Sequence, residues 1–479
     1  MRGVGTSTST TGAPRGAAGV EGRTTGGLAI PETSRQVVTR ARVLLAACLL
    51  AAVAAGWLLA HGTAPTLVVA VAGAPLLLAV GYRHGFWLLA GAVLLRPLVD
   101  SGQVPGATGA LGVGVLALGL VAALHDPRAL LLLGLAAVPV GVGTAVGYPA
   151  HGMVAVEEGL RLLSVVAVAA VVLADRSRPS RTRAARVVQL AGVVPALVAV
   201  QQTLTGTGTT IGATMRASGT LSQANPAAFF FTLCAVASLV LAFEGTRRRF
   251  DLAGVVGFSL AVVTTGSITG LMSLVLALVL CTVLMRGVLS RATGVLLLSL
   301  GVLVLGAAAS PVGRGRLAEF TAAPTAEGDG NSLLWRYEAW GKVVDAWQES
   351  PVTGLGLGAT MPGGVLATNI PHNEYLWLLA EMGVLGLGLL VLVVVMTVGL
   401  VARFVRQGAA RENLALVVTL VVATALNASA DNTLHFTPSL YVLTLLLATA
   451  WRCASAERAV ARARRPSDTP TPVDPRRAP

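Results

Sequence analysis

Apolar residues gather into fourteen runs along this chain, at 43–60, 65–82, 85–99, 106–124, 128–148, 159–174, 187–204, 226–243, 251–265, 268–285, 292–310, 378–401, 413–430 and 434–451. Short polar or charged breaks separate them. A helix that crosses a bilayer needs about 20 such residues. The pattern predicts an all-α fold, a polytopic membrane helix bundle of about 12–14 transmembrane helices. The third and ninth runs are short enough to be re-entrant or tilted, which sets the lower figure.

The polar stretches complete the plan. Residues 1–35, rich in Gly, Thr, Ser and Arg, predict a disordered cytoplasmic tail, and 456–479 a disordered basic cytoplasmic tail. The membrane domain is expected over 36–455. Nothing near the start has the form of a cleaved signal peptide. Two stretches between the runs are longer than connections need to be: 205–225 and 311–377. Long connections inside compact proteins are usually functional.

Composition agrees with the pattern. The chain has 479 residues, 54% hydrophobic and only 12% charged, where a soluble domain has about 25% charged. A soluble enzyme, a disordered chain and a disulfide scaffold are excluded. Cys48, Cys234, Cys281 and Cys453 form no spaced set, so neither disulfides nor zinc is indicated.

Charge then fixes the expected orientation. With the N-terminus inside and the spans alternating, 28 of the 35 cations fall on the inner side. That follows the positive-inside rule and puts both termini in the cytoplasm. The net charge of +13 therefore needs membrane and anionic lipid, not nucleic acid. Arg96, Arg161, Arg216, Arg314, Arg316, Arg336 and Lys342 are left on or near the outer side, concentrated in the two long loops.

The longer loop carries the chemistry. Leu333, Tyr337, Trp340, Val344 and Trp347 recur at helical spacing and predict an amphipathic helix, capped at Asn331 or Ser332 and ended at Ser350-Pro351. Its tryptophans suit the outer membrane interface. Pro351-Val352-Thr353-Gly354-Leu355-Gly356-Leu357-Gly358 matches no phosphate-loop pattern and reads as a tight turn with close backbone packing. His372, Asn373 and Glu374 follow at the mouth of a span, with Glu381 two helical turns on. A lone histidine is more often structural than catalytic, but this one has polar neighbours. Glu381 reads either as a functional group at membrane depth or as the ion-pair partner of an outer arginine. No ligand-spaced His/Asp/Glu set for a metal is visible in either loop.

Taken together, Leu334-Trp335-Arg336-Tyr337-Glu338-Ala339-Trp340, the glycine-rich turn, and His372-Asn373-Glu374-Tyr375-Leu376 with Glu381-Met382-Gly383-Val384-Leu385-Gly386 resemble the O-antigen ligase/polymerase superfamily. Arg216-Ala217-Ser218-Gly219-Thr220-Leu221, with Asn225-Pro226 opening the next span, matches in the shorter loop. The resemblance covers roughly 80–450. It departs at Ser267-Ile268-Thr269-Gly270, where the family often carries Ser-Arg-Gly.

The resemblance implies a membrane glycosyltransferase of polysaccharide biosynthesis in the cell envelope. The donor would be an undecaprenyl-diphosphate-linked glycan, and the acceptor a glycan, lipid or protein at the outer face. No cofactor or metal is expected. Arg216 and Arg336 are expected to bind the diphosphate, His372 to act as base with Glu374 its competitor, and Asn373 and Glu381 to orient base or substrate. The prenyl chain would lie in a lateral groove of the spans. Another function class, a polysaccharide or lipid-linked sugar transporter or flippase, shares the composition. It would place its site at the midplane between repeated halves, which the sequence does not show.

Overall fold

The computed structural model describes residues 65–101, 106–177, 180–211, 214–244, 247–286, 291–309, 313–315, 332–367, 371–406 and 410–463. The apolar run 43–60, Cys48, the tail to residue 35 and the tail from 464 lie outside them.

The helices follow the predicted runs closely. They are α1 Pro65–Val99, α2 Ala107–Ala123, α3 Pro127–His151, α4 Met153–Ala174, α5 Arg181–Thr205, α6 Ala224–Glu244, α7 Arg248–Thr264, α8 Ile268–Arg286 and α9 Arg291–Ala309. Then come α10 Ser332–Gln348, α11 Glu374–Arg406, α12 Arg411–Ala428 and α13 Thr437–Ala463. The one described sheet is a hairpin, β1 Thr209–Ile211 with β2 Thr214–Arg216, pairing Thr209 with Arg216. Among the described residues, seven helices (α3, α5, α6, α8, α11, α12 and α13) are long and apolar enough to cross a membrane by length and composition. The fold is an all-α polytopic membrane bundle.

Local chemistry sets the ends. Asp126 and Ser180 accept hydrogen bonds from the Arg128 and Arg183 N–H groups and cap α3 and α5. Runs 65–82 and 85–99 join in α1, which kinks at His84 between them. Arg83 shares a cavity there with His125 and Asp175, from the breaks after α2 and α4. α13 continues to Ala463, into the segment read as tail, because its Ala- and Arg-rich residues favour helix.

The core sits around α6, which is buried almost throughout from Ala224 to Ala242. Phe229, Phe230 and Phe231 are fully enclosed by α5, α7, α8 and α13. A helix that is apolar all round belongs in such a centre. Exposed Val391, Leu392, Val395, Met396 and Val398 on α11 instead present a surface suited to lipid.

The amphipathic helix α10 forms over Ser332–Gln348, where the spacing predicts it. Its protein-facing seam is Ala339, Val343 and Ala346, packed on Leu366, Leu376 and Ala380. Tyr337, on the apolar face expected at the outer membrane interface, is 64% exposed. Small residues let α10 approach α11 closely, and they displace the aromatic stripe to the flank.

Candidate functional site

Four of the residues expected at the site converge on one short connection, residues 429–435 between α12 and α13. Arg336 donates from Nη1 to the Ala430 carbonyl at 3.0 Å. Asn373 donates from Nδ2 to the Ser429 carbonyl at 3.2 Å. His372 Nδ1 faces Asp431 Oδ1 at 3.5 Å. Glu374 Oε1 faces His435 Nδ1 at 3.7 Å.

The turn that presents His372 is clamped on both sides. The Trp340 indole N–H donates to the Pro371 carbonyl. Asn373 Oδ1 accepts the N–H groups of Tyr375 (3.0 Å) and Leu376 (3.2 Å), an N-cap for α11. Between them His372 has φ 43°, the positive-φ non-glycine residue of the described chain. A bulky side chain in that region is strained, and such strain persists where surrounding contacts impose it, commonly at functional sites.

His372 is half-buried, whereas Asp431 is 3% exposed. The Asp431 carboxylate thus stands beside one ring nitrogen of His372, at a distance longer than a direct hydrogen bond. Glu374 is buried and faces a second histidine, His435, which packs edge-on against Trp377 with centroids 4.6 Å apart.

Glu381 lies deeper and holds the glycine turn. Its carboxylate accepts the Gly358 N–H (3.2 Å), the Thr360 N–H (2.9 Å) and the Thr360 hydroxyl (2.6 Å). Arg161 is within Coulombic reach of Glu374 and Glu381, while it bonds Glu158 at 2.8 Å. The turn itself is stitched to a break in α11. Gly383 has φ 59°, which frees backbone groups. The Leu355 and Gly356 N–H groups donate to the Ala380 and Glu381 carbonyls at 2.8 and 3.0 Å. Val384 donates to Pro351 at 2.9 Å, and Leu357 to Gly143 of α3 at 3.0 Å. Gly356, with φ 88°, meets Gly147 so closely that a Cβ would stand 2.2 Å from its backbone. Close packing was the expected reading of this stretch.

Arg216 closes the hairpin in the shorter loop and is 4% exposed. Its Nε donates to the Thr265 carbonyl at 2.9 Å and its Nη2 to the Asn225 side-chain oxygen. The loop is braced at three more points. Gln202 Oε1 accepts the Ser218 and Gly219 N–H groups at 3.1 and 2.9 Å. Thr220 donates to the Pro97 carbonyl at 2.7 Å. Ser222 donates to Asp100 at 3.0 Å, and Asp100 pairs with Arg96 at 3.0 Å. The Arg96–Asp100 pair, legible as an i, i+4 contact, thus also anchors this loop.

α8 links the two loops. Ser267, where the family pattern departs, caps α8 by accepting the Gly270 N–H at 3.2 Å, two residues after the Thr265 carbonyl that holds Arg216. Further along, Asn427 reaches Ser273 at 3.5 Å and accepts from Thr433 at 2.7 Å. Among the described residues, no group of three or more His, Cys, Asp or Glu side chains is placed to hold a metal ion.

Sequence reasoning named neither Asp431 nor His435 as site residues. Both lie in the Asn427–Pro438 connection between the closing spans, which the resemblance covers without singling out either residue, and what marks them is proximity in the fold. A lateral apolar cavity of about 600 Å³ lies among α6, α7, α8 and α9, and a second of about 280 Å³ between α5 and α7. Arg216, Arg336 and His372 line neither.

Residues 253–391 match the family model described as O-antigen ligase. The match supports the resemblance to the wider ligase/polymerase superfamily. It runs from α7 to the middle of α11, taking in Arg336, the glycine turn, His372 and Glu381. Arg216 and Asp431 fall outside it. No curated protein matches the chain.

Proposed function

We propose that this membrane protein transfers a glycan from a polyprenyl-diphosphate donor to an acceptor hydroxyl at the outer face of the cytoplasmic membrane, with both termini inside. The observation that carries the proposal is the convergence of Arg336, His372, Asn373 and Glu374 on residues 429–435, in a chain whose residues 253–391 match the O-antigen ligase family model.

The chemistry follows from the groups present. His372, with Nδ1 set against Asp431, takes the acceptor O–H proton on Nε2. The acceptor oxygen attacks the anomeric carbon, forming the new glycosidic C–O bond as the bond to the diphosphate oxygen breaks. The diphosphate leaves with the bonding electrons, and the anomeric centre inverts. Arg216 and Arg336 stabilise the growing charge with permanently protonated forks, and in this mechanism they stand where other enzymes use a metal. Arg216 reaches the turn where the family often has its own arginine, and it supplies that charge here.

Asn373, Glu374 and Glu381 support this chemistry. Asn373 caps α11 and sets the position of His372. Glu374 is engaged by His435 and serves the base indirectly. Glu381 fixes the glycine turn on which the α10–α11 region rests. The aromatic flank of α10 meets the outer membrane interface.

The test is the purified protein in lipid with a prenyl-diphosphate oligosaccharide, with product size read on a gel. A ladder identifies a polymerase and a single addition a ligase. Lipid movement across the bilayer without product overturns the proposal in favour of a transporter.

A further inference from the structure

The larger lateral cavity opens at the end of the bundle remote from the site. α7 runs from Arg248 at that cavity to Thr264, whose carbonyl accepts the Ala217 N–H beside Arg216. The two ends are roughly 24 Å apart at the helical rise per residue. The cavity's walls are Leu239, Leu252, Val255, Leu260, Leu278 and Val295.

Three observations mark it as more than a gap between helices. Arg248 and Arg291 both line it, and neither has an ionic partner among the described residues. By contrast Arg181, Arg186 and Arg452 are paired with Glu244, Asp251 and Asp175. Arg286 stands at the same end, its guanidinium 4.8 Å over the Phe243 ring that also lines the cavity. Thr282 lines the cavity too. It is 1% exposed, and its hydroxyl has no hydrogen-bond partner among the described residues. A buried hydroxyl left without a partner is costly. Thr282 lies one helical turn inside Arg286, about 6 Å along α8.

We propose that this cavity is a binding site for an anionic glycerophospholipid of the leaflet that meets this end of the bundle. The headgroup phosphate lies between Arg248 and Arg291. An acyl ester carbonyl, just below the phosphate in such a lipid, accepts the Thr282 hydroxyl. The acyl chain fills the apolar groove between α7 and α9. The ester matters to the assignment, because a prenyl phosphate has no carbonyl at that depth. The site shares no residue with the one described above.

The experiment uses the full chain in vesicles of phosphatidylcholine with a minor fraction of phosphatidylglycerol, then gentle extraction and native mass spectrometry to count retained lipids. The wild type is expected to retain phosphatidylglycerol in preference to phosphatidylcholine. The Arg248→Gln/Arg291→Gln variant loses about tenfold or more of that preference, since each arginine near an anionic membrane surface contributes roughly fivefold. Thr282→Val, nearly isosteric, loses part of it while leaving thermal stability unchanged. Arg403→Gln/Arg406→Gln, at the end of α11, keeps it. Equal retention of both lipids by the wild type, an unchanged preference in the Arg248/Arg291 variant, or an equal loss in the Arg403/Arg406 variant overturns the proposal. If the double variant is unstable, an unchanged preference in Thr282→Val decides against it.

Discussion

Two sets of arginines in the bundle are held in different ways. At the end of positive charge, Arg186 pairs with the fully buried Asp251 at 2.6 Å. Arg181 reaches Glu244 at 3.0 Å and the Asn413 amide, and Arg452 meets Asp175 at 3.3 Å. These bonds tie α4, α5, α6, α7, α12 and α13 together, and the carboxylates neutralise what they bind. At the other end, Arg216 and Arg336 donate to the carbonyls of Thr265 and Ala430 and to the Asn225 amide. Those bonds orient each guanidinium through neutral oxygen acceptors. One end is a clamp. The other is a set of loops that hold charged and basic groups in fixed poses, at the expense of backbone strain at His372.

The largest test of that contrast is His372→Ala. If His372 is the base, the variant remains folded and loses about 10²–10⁴-fold in transfer, the usual contribution of general-base catalysis. Turnover of the reconstituted variant measures it, and wild-type turnover removes the base assignment. The same assay on Asp431→Asn gives a smaller loss and a shifted pH profile if the carboxylate acts through the imidazole.

Arg216→Lys comes next. It keeps the charge but removes the fork that spans Thr265 and Asn225, and lysine is a point charge on a flexible stem. Loss of one fixed group aimed at developing charge costs about 10²–10³-fold. The expected result is a fall of that size in turnover with thermal stability nearly kept. A variant that is equally active would show that the charge, and not its orientation, matters there.

Much of this was legible before any coordinates. Thirteen of the fourteen apolar runs lie on described helices, because hydropathy over about 20 residues reports bilayer thickness directly. The loop residues were legible as a group for a different reason. Cations on the side where they are disfavoured stand out against the positive-inside pattern. What the sequence did not disclose are contacts between segments far apart in the chain. Asp431 and His435 carry no local signal, and only the return of α12 and α13 to the start of α11 brings them to His372 and Glu374. The break in α11 was hidden too. Gly383 sits inside a strongly apolar run, and a single glycine there does not reveal that the Pro351–Leu357 turn completes its hydrogen bonds. Nor did the spacing of α10 show that Ala339 and Val343, rather than Tyr337, face the protein.

Gly356→Ala tests whether that turn matters to the outer end. The added methyl would meet the Gly147 backbone at 2.2 Å and would sit on a residue with φ 88°. Overpacking of this kind costs about 1–3 kcal/mol. The expected result is a lower melting temperature together with a loss of activity, since the same turn is bonded to Glu381 and α11. Activity retained in the folded fraction would detach the turn from the site.

Arg452→Gln should have the smallest effect on catalysis, and it tests the other half of the contrast. Arg452 bonds Asp175 and the Ser177 carbonyl, joining the end of α4 to α13. Both side chains are partly exposed, so loss of the pair costs about 1 kcal/mol. That is a shift of a few degrees at most in a chain of this size. Turnover per folded molecule should be unchanged, because the pair lies at the far end of α13 from His435. If this substitution instead reduced turnover without lowering the melting temperature, the clamp would be coupled to the site through α13, whose first turn follows the connection carrying Asp431. The two ends would then form one mechanical unit, and the division of labour among the arginines would not hold.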